Sequence, residues 1–176
     1  MSEPLRILTV CLGNICRSPT AEAAVAEAAA ARGLDVEVSS AGTGAWHVGE
    51  PPDRRMRTAA AERDLHLRGT AVQVTADAMS AADLVLAMDR RNLSELELLA
   101  ASADVATPIV LFRRFDPRGD GDPDVPDPYF GGSEGFSEVV EMCRRTATAL
   151  VAALAAGGVE GALRGDRGAS EAEARP

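Results

Sequence analysis

Hydrophobic positions divide this chain into alternating short strands and longer helices. A mostly apolar run, Leu5 to Val10, ends at Cys11 and predicts a buried first strand. An alanine-rich stretch from Thr20 to Arg32 follows and predicts a helix, with Gly33 as its stop. Val36-Glu37-Val38 alternates like a strand, and Ser39 to Gly49 reads as loop. Asp53 to Asp64 predicts a second helix, capped by Asp53, with Met56, Ala59 and Ala60 turned inward. Leu84 to Met88 is a continuous apolar run of buried-strand type. Arg90 to Ala101 predicts a helix capped by Asp89, and Pro108 to Phe112 a fourth strand.

The last third of the chain is organised differently. Asp116 to Gly135 is a long segment rich in Pro, Gly and Asp. Phe136, Val139, Val140, Cys143, Ala147, Leu150, Val151 and Leu154 then recur at helical spacing and mark a final amphipathic helix. Beyond Gly157 the residues are small, charged and unpatterned. The expectation is one α/β domain over residues 1–156, a four-stranded parallel sheet with helices on both faces, and a disordered tail over 157–176. In such folds the ligand site lies at the carboxyl ends of the strands.

Composition narrows the function classes. The 46% apolar content of this 176-residue chain suits a globular domain, and a net charge of -9 argues against non-specific nucleic-acid binding. The sequence is read as having no 18-residue apolar span and no basic-then-apolar leader, so a cytoplasmic protein, a monomer without a membrane partner, is expected. Three cysteines do not make a disulfide framework, and no metal site is expected because none of them has a ligand-spaced partner.

The candidate chemistry sits where the first strand ends, in V-C-L-G-N-I-C-R-S-P-T from Val10 to Thr20. A tight loop backed by a helix N-terminus points its N–H groups at an anion. Gly13 and Asn14 tolerate the backbone that such a loop needs, Ser18 can cap the following helix, and Pro19 suits its first position. The amides of Leu12, Gly13, Asn14, Ile15 and Cys16 would hold a phosphate, and Arg17 adds a planar fork matched to two of its oxygens. Cys11 supplies sulfur. A free thiol is only about 3% thiolate at neutral pH, and a helix N-terminus with a cation raises that fraction. C-x5-R-S after a strand therefore describes a nucleophile facing phosphorus, with a phosphocysteine intermediate.

These residues resemble the phosphate loop of the low-molecular-weight protein tyrosine phosphatases, C-x-G-N-x-C-R-S, and match it throughout. The resemblance extends to S-A-G-T-G-A-W-H-V-G at Ser40 to Gly49, A-M-D-R-R-N-L at Ala87 to Leu93 and D-P-Y-F at Asp127 to Phe130. It implies a phosphotyrosine-containing protein as partner, no cofactor, and Asp127 as general acid. On composition alone Asp124 competes for that role, while Asp120 and Asp122 read as solubilising residues. The resemblance also implies that Trp46, Tyr129 and Phe130, with Ile15, line a slot for a flat ring, and that Asn14, Ser18 and Ser40 brace the loop. Phe115 reads as packing its loop on the core. Cys16 either fills space or forms a protective disulfide with Cys11, which the resemblance favours.

One departure stands out. Where the family usually carries a histidine that supports the loop asparagine, this chain has Gly69-Thr70-Ala71-Val72. His47 and His66 have no motif behind them, and His66 reads as a surface residue. The expected activity is phosphotyrosine hydrolysis. The alternatives are a protein arginine phosphatase, against which the apolar Ile15 argues, a phosphate-holding module without turnover, and an arsenate reductase, for which only Cys143 could serve as relay thiol.

Overall fold

The computed structural model describes residues 3–165. Strands β1 (Leu5–Cys11), β2 (Val36–Gly42), β3 (Leu84–Ala87) and β4 (Ile109–Leu111) form one sheet in the order β2-β1-β3-β4. Every neighbouring pair is parallel. Alternation along β1 explains the two-faced core. Ile7 and Cys11 point to one side, Leu8 and Val10 to the other, and all four are buried. Helices α1 (Arg17–Arg32), α2 (Arg54–Ala61) and α5 (Ser133–Arg164) bury Val25, Met56 and Leu150 on the first face. Helices α3 (Ala76–Ala81) and α4 (Arg90–Ser102) bury Met79 and Leu96 on the second.

Several boundaries differ from the sequence expectation, each for a local reason. β2 runs on to Gly42 because its backbone stays paired with β1 up to Cys11↔Gly42 and its burial keeps alternating through Ser40, although the apolar–polar sequence pattern ends at Val38. Helix α3 was not expected; Thr75 caps it by accepting from Ala78 N at 3.1 Å, and only Met79 is buried from it. β4 is three residues long and turns at once into a one-turn 3-10 helix, Phe112–Phe115.

The long last helix corrects two expectations. It does not stop before Gly157: the chain kinks at Gly157 and Gly158, where a φ of 61° at Gly158 suits a residue without Cβ, and helix resumes to Arg164. Ala162 is buried there, with Val159 and Leu163 packed on the core, so residues up to Gly165 extend the domain. The rest of the expected tail lies outside the described residues. An 18-residue window of α5 has a mean hydropathy of 1.5, so an apolar span of that length does exist. Its stripe from Phe136 to Leu154 is buried against the sheet and α1, as in a core helix.

Candidate active site

β1 delivers Cys11 to the carboxyl edge of the sheet, and the next six residues wrap back to start α1 at Arg17. Four of the loop's carbonyls are engaged by neighbouring donors. Cys11 O accepts from Thr43 N (2.9 Å), Leu12 O from Gly44 N (2.9 Å), Ile15 O from Asp53 N (2.8 Å) and Cys16 O from the Thr20 hydroxyl (2.8 Å). With these carbonyls outside, the amides line the concave side, where an anion would sit. Asn14 N already points at Cys11 Sγ, 3.3 Å away. Gly42 lies directly beneath: a Cβ there would come within 2.7 Å of Leu12 O, so only glycine lets the β2 end approach the loop this closely.

Asn14 holds the turn in a left-handed conformation, φ 55°, and its side chain makes three hydrogen bonds. Nδ2 donates to Ser18 Oγ at 2.9 Å and to Ser40 Oγ at 3.0 Å, and Oδ1 accepts from Val72 N at 3.0 Å. The missing histidine is thus replaced by a backbone N–H from the same segment, Gly69 to Val72. That segment is held in place beside β2 by Gly42 N to Val72 O, 2.8 Å, and Val74 N to Gly42 O, 2.7 Å. Ser40 passes the chain outward by donating to Glu22 Oε2 at 2.5 Å. Burial pushes the Glu22 carboxyl above its usual range, with the Ser40 hydrogen bond opposing it. Because Asn14 donates to both serines, the Ser18 hydroxyl keeps its own hydrogen for Cys11 Sγ, 3.0 Å away, or for Ala41 O at 3.3 Å. Ser18 is therefore not the helix cap expected from sequence: the N-cap is Cys16, which makes no side-chain cap bond.

Arg17 is 3% exposed, and its guanidinium is aimed by two acids and a carbonyl. Nη1 donates to Asp89 Oδ2 (2.5 Å) and Val125 O (3.2 Å), and Nη2 to Asp127 Oδ2 (3.4 Å). Burial works against its charge, but the Cys11 sulfur, Asp89 and Asp127 together raise its pKa further. Sequence reasoning assigned Asp89 only to capping α4, which its other oxygen does by accepting from Asn92 N at 2.7 Å. Its place just past the end of β3 was the available signal for a second role.

Cys11, Leu12, Gly13, Ile15, Cys16, Arg17, Trp46, His47, Asp127, Tyr129 and Phe130 line one slot of about 160 Å³. All of the expected pocket residues are there. His47 was passed over. Its Cδ2 lies 3.0 Å from where a Gly13 Cβ would be, its Nδ1 is 2.8 Å from Glu50 Oε2, and its ring is 6.0 Å from that of Tyr129. Its signal was adjacency to Trp46 in the Ser40 to Gly49 stretch. Tyr129 stands between the Phe130 edge, at 4.9 Å, and the Arg55 guanidinium, 5.3 Å from its ring centroid. Phe130 is 95% exposed, which puts it at the rim. Phe115 packs partly buried against the core, as expected.

The acidic loop separates its aspartates by partner. Asp127 reaches the slot with its side chain 43% exposed, and its Oδ1 accepts from Tyr129 N at 3.1 Å. Asp124 is turned away to Arg90, whose Nε and Nη2 both donate to its Oδ2 at 3.2 and 3.1 Å while Arg90 N donates to its Oδ1 at 2.9 Å, and it is not among the slot's residues. Asp120 and Asp122 are more than solubilising residues, since each accepts a backbone N–H two positions on and Asp120 also binds Arg113. Cys16 and Cys143 are free buried thiols. Burial, with Asp53 and Cys11 adding to it, pushes the Cys16 thiol far up, and burial pushes Cys143 up to about 12, so both stay protonated beside the loop. His66 is exposed and makes no hydrogen bond to Asn14; Val72 does instead.

Comparison with known proteins converges on one family. The sequence model described as low molecular weight phosphotyrosine protein phosphatase matches residues 6–159. A low molecular weight protein-tyrosine-phosphatase of Streptomyces coelicolor is 43% identical over 152 residues, 85% of this chain and 93% of that one. Among solved structures, a protein tyrosine phosphatase from Entamoeba histolytica superposes with a TM-score of 0.82 at 31% identity, covering 88% of this chain and 99% of that one. A drosophila arginine phosphatase gives 0.79 at 32% identity, over 84% and 96%.

Proposed function

This chain belongs to the low molecular weight phosphotyrosine protein phosphatase family, and we propose that it hydrolyses phosphotyrosine in proteins through a phosphocysteine on Cys11. The observation that carries the reading is one slot that combines Cys11, Arg17 and Asp127 with the rings of Trp46 and Tyr129. In the first step the Cys11 thiolate attacks phosphorus and the S–P bond forms as the phosphorus–phenol oxygen bond breaks. Arg17 and the loop amides hold the three equatorial oxygens, and Asp127 gives its proton to the departing phenolate. In the second step Asp127, now a carboxylate, takes a proton from water. The water oxygen attacks phosphorus, and sulfur leaves as thiolate, received by the Asn14 N–H and the Ser18 hydroxyl.

Ring selectivity rests on apolar walls. Ile15, Trp46 and Tyr129 offer flat or aliphatic surface to a phenyl ring, which supports an aromatic ester over phosphoarginine. The reading as a mere phosphate holder drew on the missing histidine, and the three hydrogen bonds on Asn14 weigh against it. The reducing cytoplasm suits three free cysteines, one of them a nucleophile. We expect the chain to work as a monomer.

Steady turnover of a phosphotyrosine peptide, well above that of the matching phosphoarginine peptide, is the expected result. Acid quench during turnover should trap one phosphoryl group on the peptide that contains Cys11. Faster release from phosphoarginine, or a label on another residue, would overturn the reading.

A further inference from the structure

The segment from Asp116 to Asp127 carries the acid on irregular backbone, so side chains must set its shape. Most of them converge on Arg113, which stands in the 3-10 turn before the loop and is 7% exposed. Its Nη1 donates to Asp124 O at 2.9 Å and its Nη2 to Asp120 Oδ2 at 2.9 Å, while Nε faces Asp116 Oδ2 at 3.5 Å. One planar fork therefore gathers the beginning, middle and end of the loop, which a lysine ammonium cannot do. Asp116 is itself fully buried and fixed from behind by Arg145, 2.7 and 2.8 Å away, so the fork has a rigid base. From Asp124 the hold passes to the acid. Val125 N bonds Met88 O at 2.8 Å, Val125 O receives Arg17, and Pro126 and Pro128 stiffen the backbone on either side of Asp127.

We propose that Arg113 is a positioning residue for proton transfer: by binding Asp120 and the Asp124 carbonyl beside the buried Asp116 carboxylate it aims Asp127 at the leaving-group oxygen. Arg113 touches neither phosphate nor ring, and it is absent from the slot's lining. Its effect should therefore depend on how much help the leaving group needs. Phenol, with a pKa of about 10 like tyrosine, must be protonated as it leaves, whereas 2,4-dinitrophenolate departs unaided. A role in folding alone would impair both substrates equally.

The inference rests on Asp127 as general acid, so the test carries that reading as its own control. The full chain is assayed as wild type, Arg113→Met and Asp127→Asn for kcat/KM on phenyl phosphate and 2,4-dinitrophenyl phosphate, together with inhibition by inorganic phosphate. Asp127→Asn should lose ~100-fold or more on phenyl phosphate and much less on the dinitrophenyl ester, within the ~10²–10⁴ range of general acid catalysis. Arg113→Met should lose roughly 10-fold on phenyl phosphate and less than about 2-fold on the dinitrophenyl ester, with phosphate inhibition unchanged, as expected for a misaimed acid beside an intact phosphate loop. Equal losses on both substrates, or none, would overturn the positioning role. If Asp127→Asn itself shows no selectivity, the acid assignment fails instead. Should Arg113→Met not fold, Asp120→Ala removes the fork's most exposed partner, 61% exposed, and a selective loss of about 2- to 3-fold is expected from one charge-assisted bond. A uniform effect there would overturn the proposal as well.

Discussion

Around Cys11 the chain is held by neutral hydrogen bonds from its near neighbours and from the backbone beside it, whereas around Asp127 it is held by guanidinium groups. The phosphate loop rests on Thr43 N, Gly44 N, Asp53 N, Val72 N, Ser18 and Ser40, and Cys11 is 2% exposed. The loop that carries Asp127, the proposed acid, rests on Arg17, Arg90, Arg113 and Arg145, and the Asp127 side chain is 43% exposed. A phosphate site must have its dipoles fixed before the anion arrives, because reorientation during the reaction would cost rate. An acid that also activates water must stay in reach of solvent, and charged pairs hold such a loop without burying it. Arg17 belongs to both regions, since one fork binds Asp89 beside the phosphate loop and Val125 O and Asp127 in the acid loop.

The sharpest way to break the comparison is to remove one function from each side. Cys11→Ser should leave the loop's hydrogen bonds standing and reduce turnover of para-nitrophenyl phosphate by at least roughly 10⁴-fold, as loss of a nucleophile does elsewhere. Binding of inorganic phosphate, measured by calorimetry, should survive. Residual steady turnover would mean that another group attacks phosphorus. On the acid side, Asp127→Asn should cost ~10²–10⁴ in kcat/KM on a phosphotyrosine peptide, and Asp124→Asn far less, because Asp124 faces Arg90. The reverse order of severity would exchange their roles.

A smaller effect separates bracing from chemistry within the phosphate loop. Ser40→Ala removes one acceptor of Asn14 Nδ2 and frees Glu22 from its hydrogen bond. A buried donor left unpaired costs ~1–3 kcal/mol, so a fall in kcat of about 10-fold is expected if the loss is felt at the transition state. The rate of Cys11 alkylation by iodoacetate at a fixed neutral pH should fall as well, since Asn14, whose N–H faces the sulfur, has lost one of its braces. An unchanged alkylation rate would show that Val72 N and Ser18 are bracing enough.

These two regions were also unequally legible in the sequence. Cys11, Asn14, Arg17 and Ser18 lie within eight consecutive residues, so their arrangement depends on local backbone and the motif carried it. Asp127 was legible from D-P-Y-F, but its supports were not. Arg90 and Arg113 lie in other elements, and nothing in a linear pattern says which of 18 basic residues will fold beneath an acidic loop. Val72 N escaped notice for a related reason. Sequence comparison looks for a side chain where the histidine should be, whereas a backbone donor is independent of residue type and needs only the bridge between Gly42 and Gln73. Edge strand β2 was cut short because Ser39 and Ser40 end the apolar–polar pattern, yet the Ser40 hydroxyl is what the strand carries to the loop asparagine.

The mildest test uses pH and falls on the charged side alone. Burial pushes the Asp116 carboxyl up, but hydrogen bonds from Arg145 and Arg118 N, with Arg113 beside it, bring it below its ordinary value of 3.8. A carboxylate depressed in the folded state contributes stability above its unfolded pKa and loses it as pH falls through the folded value. Its contribution should be whole at neutral pH, begin to fade near about pH 5 and continue to decline below 3.8. One proton changes stability by at most about 1.4 kcal/mol per pH unit, or roughly 3–5 °C in Tm for a domain of this size. Asp116→Asn should therefore lower Tm at pH 7 and flatten the decline of Tm between about pH 5 and pH 3 by up to that slope. No such flattening is expected for Asn14→Gly, which keeps the left-handed turn and loses only the neutral partners Ser18, Ser40 and Val72 N. If the two variants showed the same acid profile, charge would not be what holds the acid loop, and the contrast between the two halves of the site would fail.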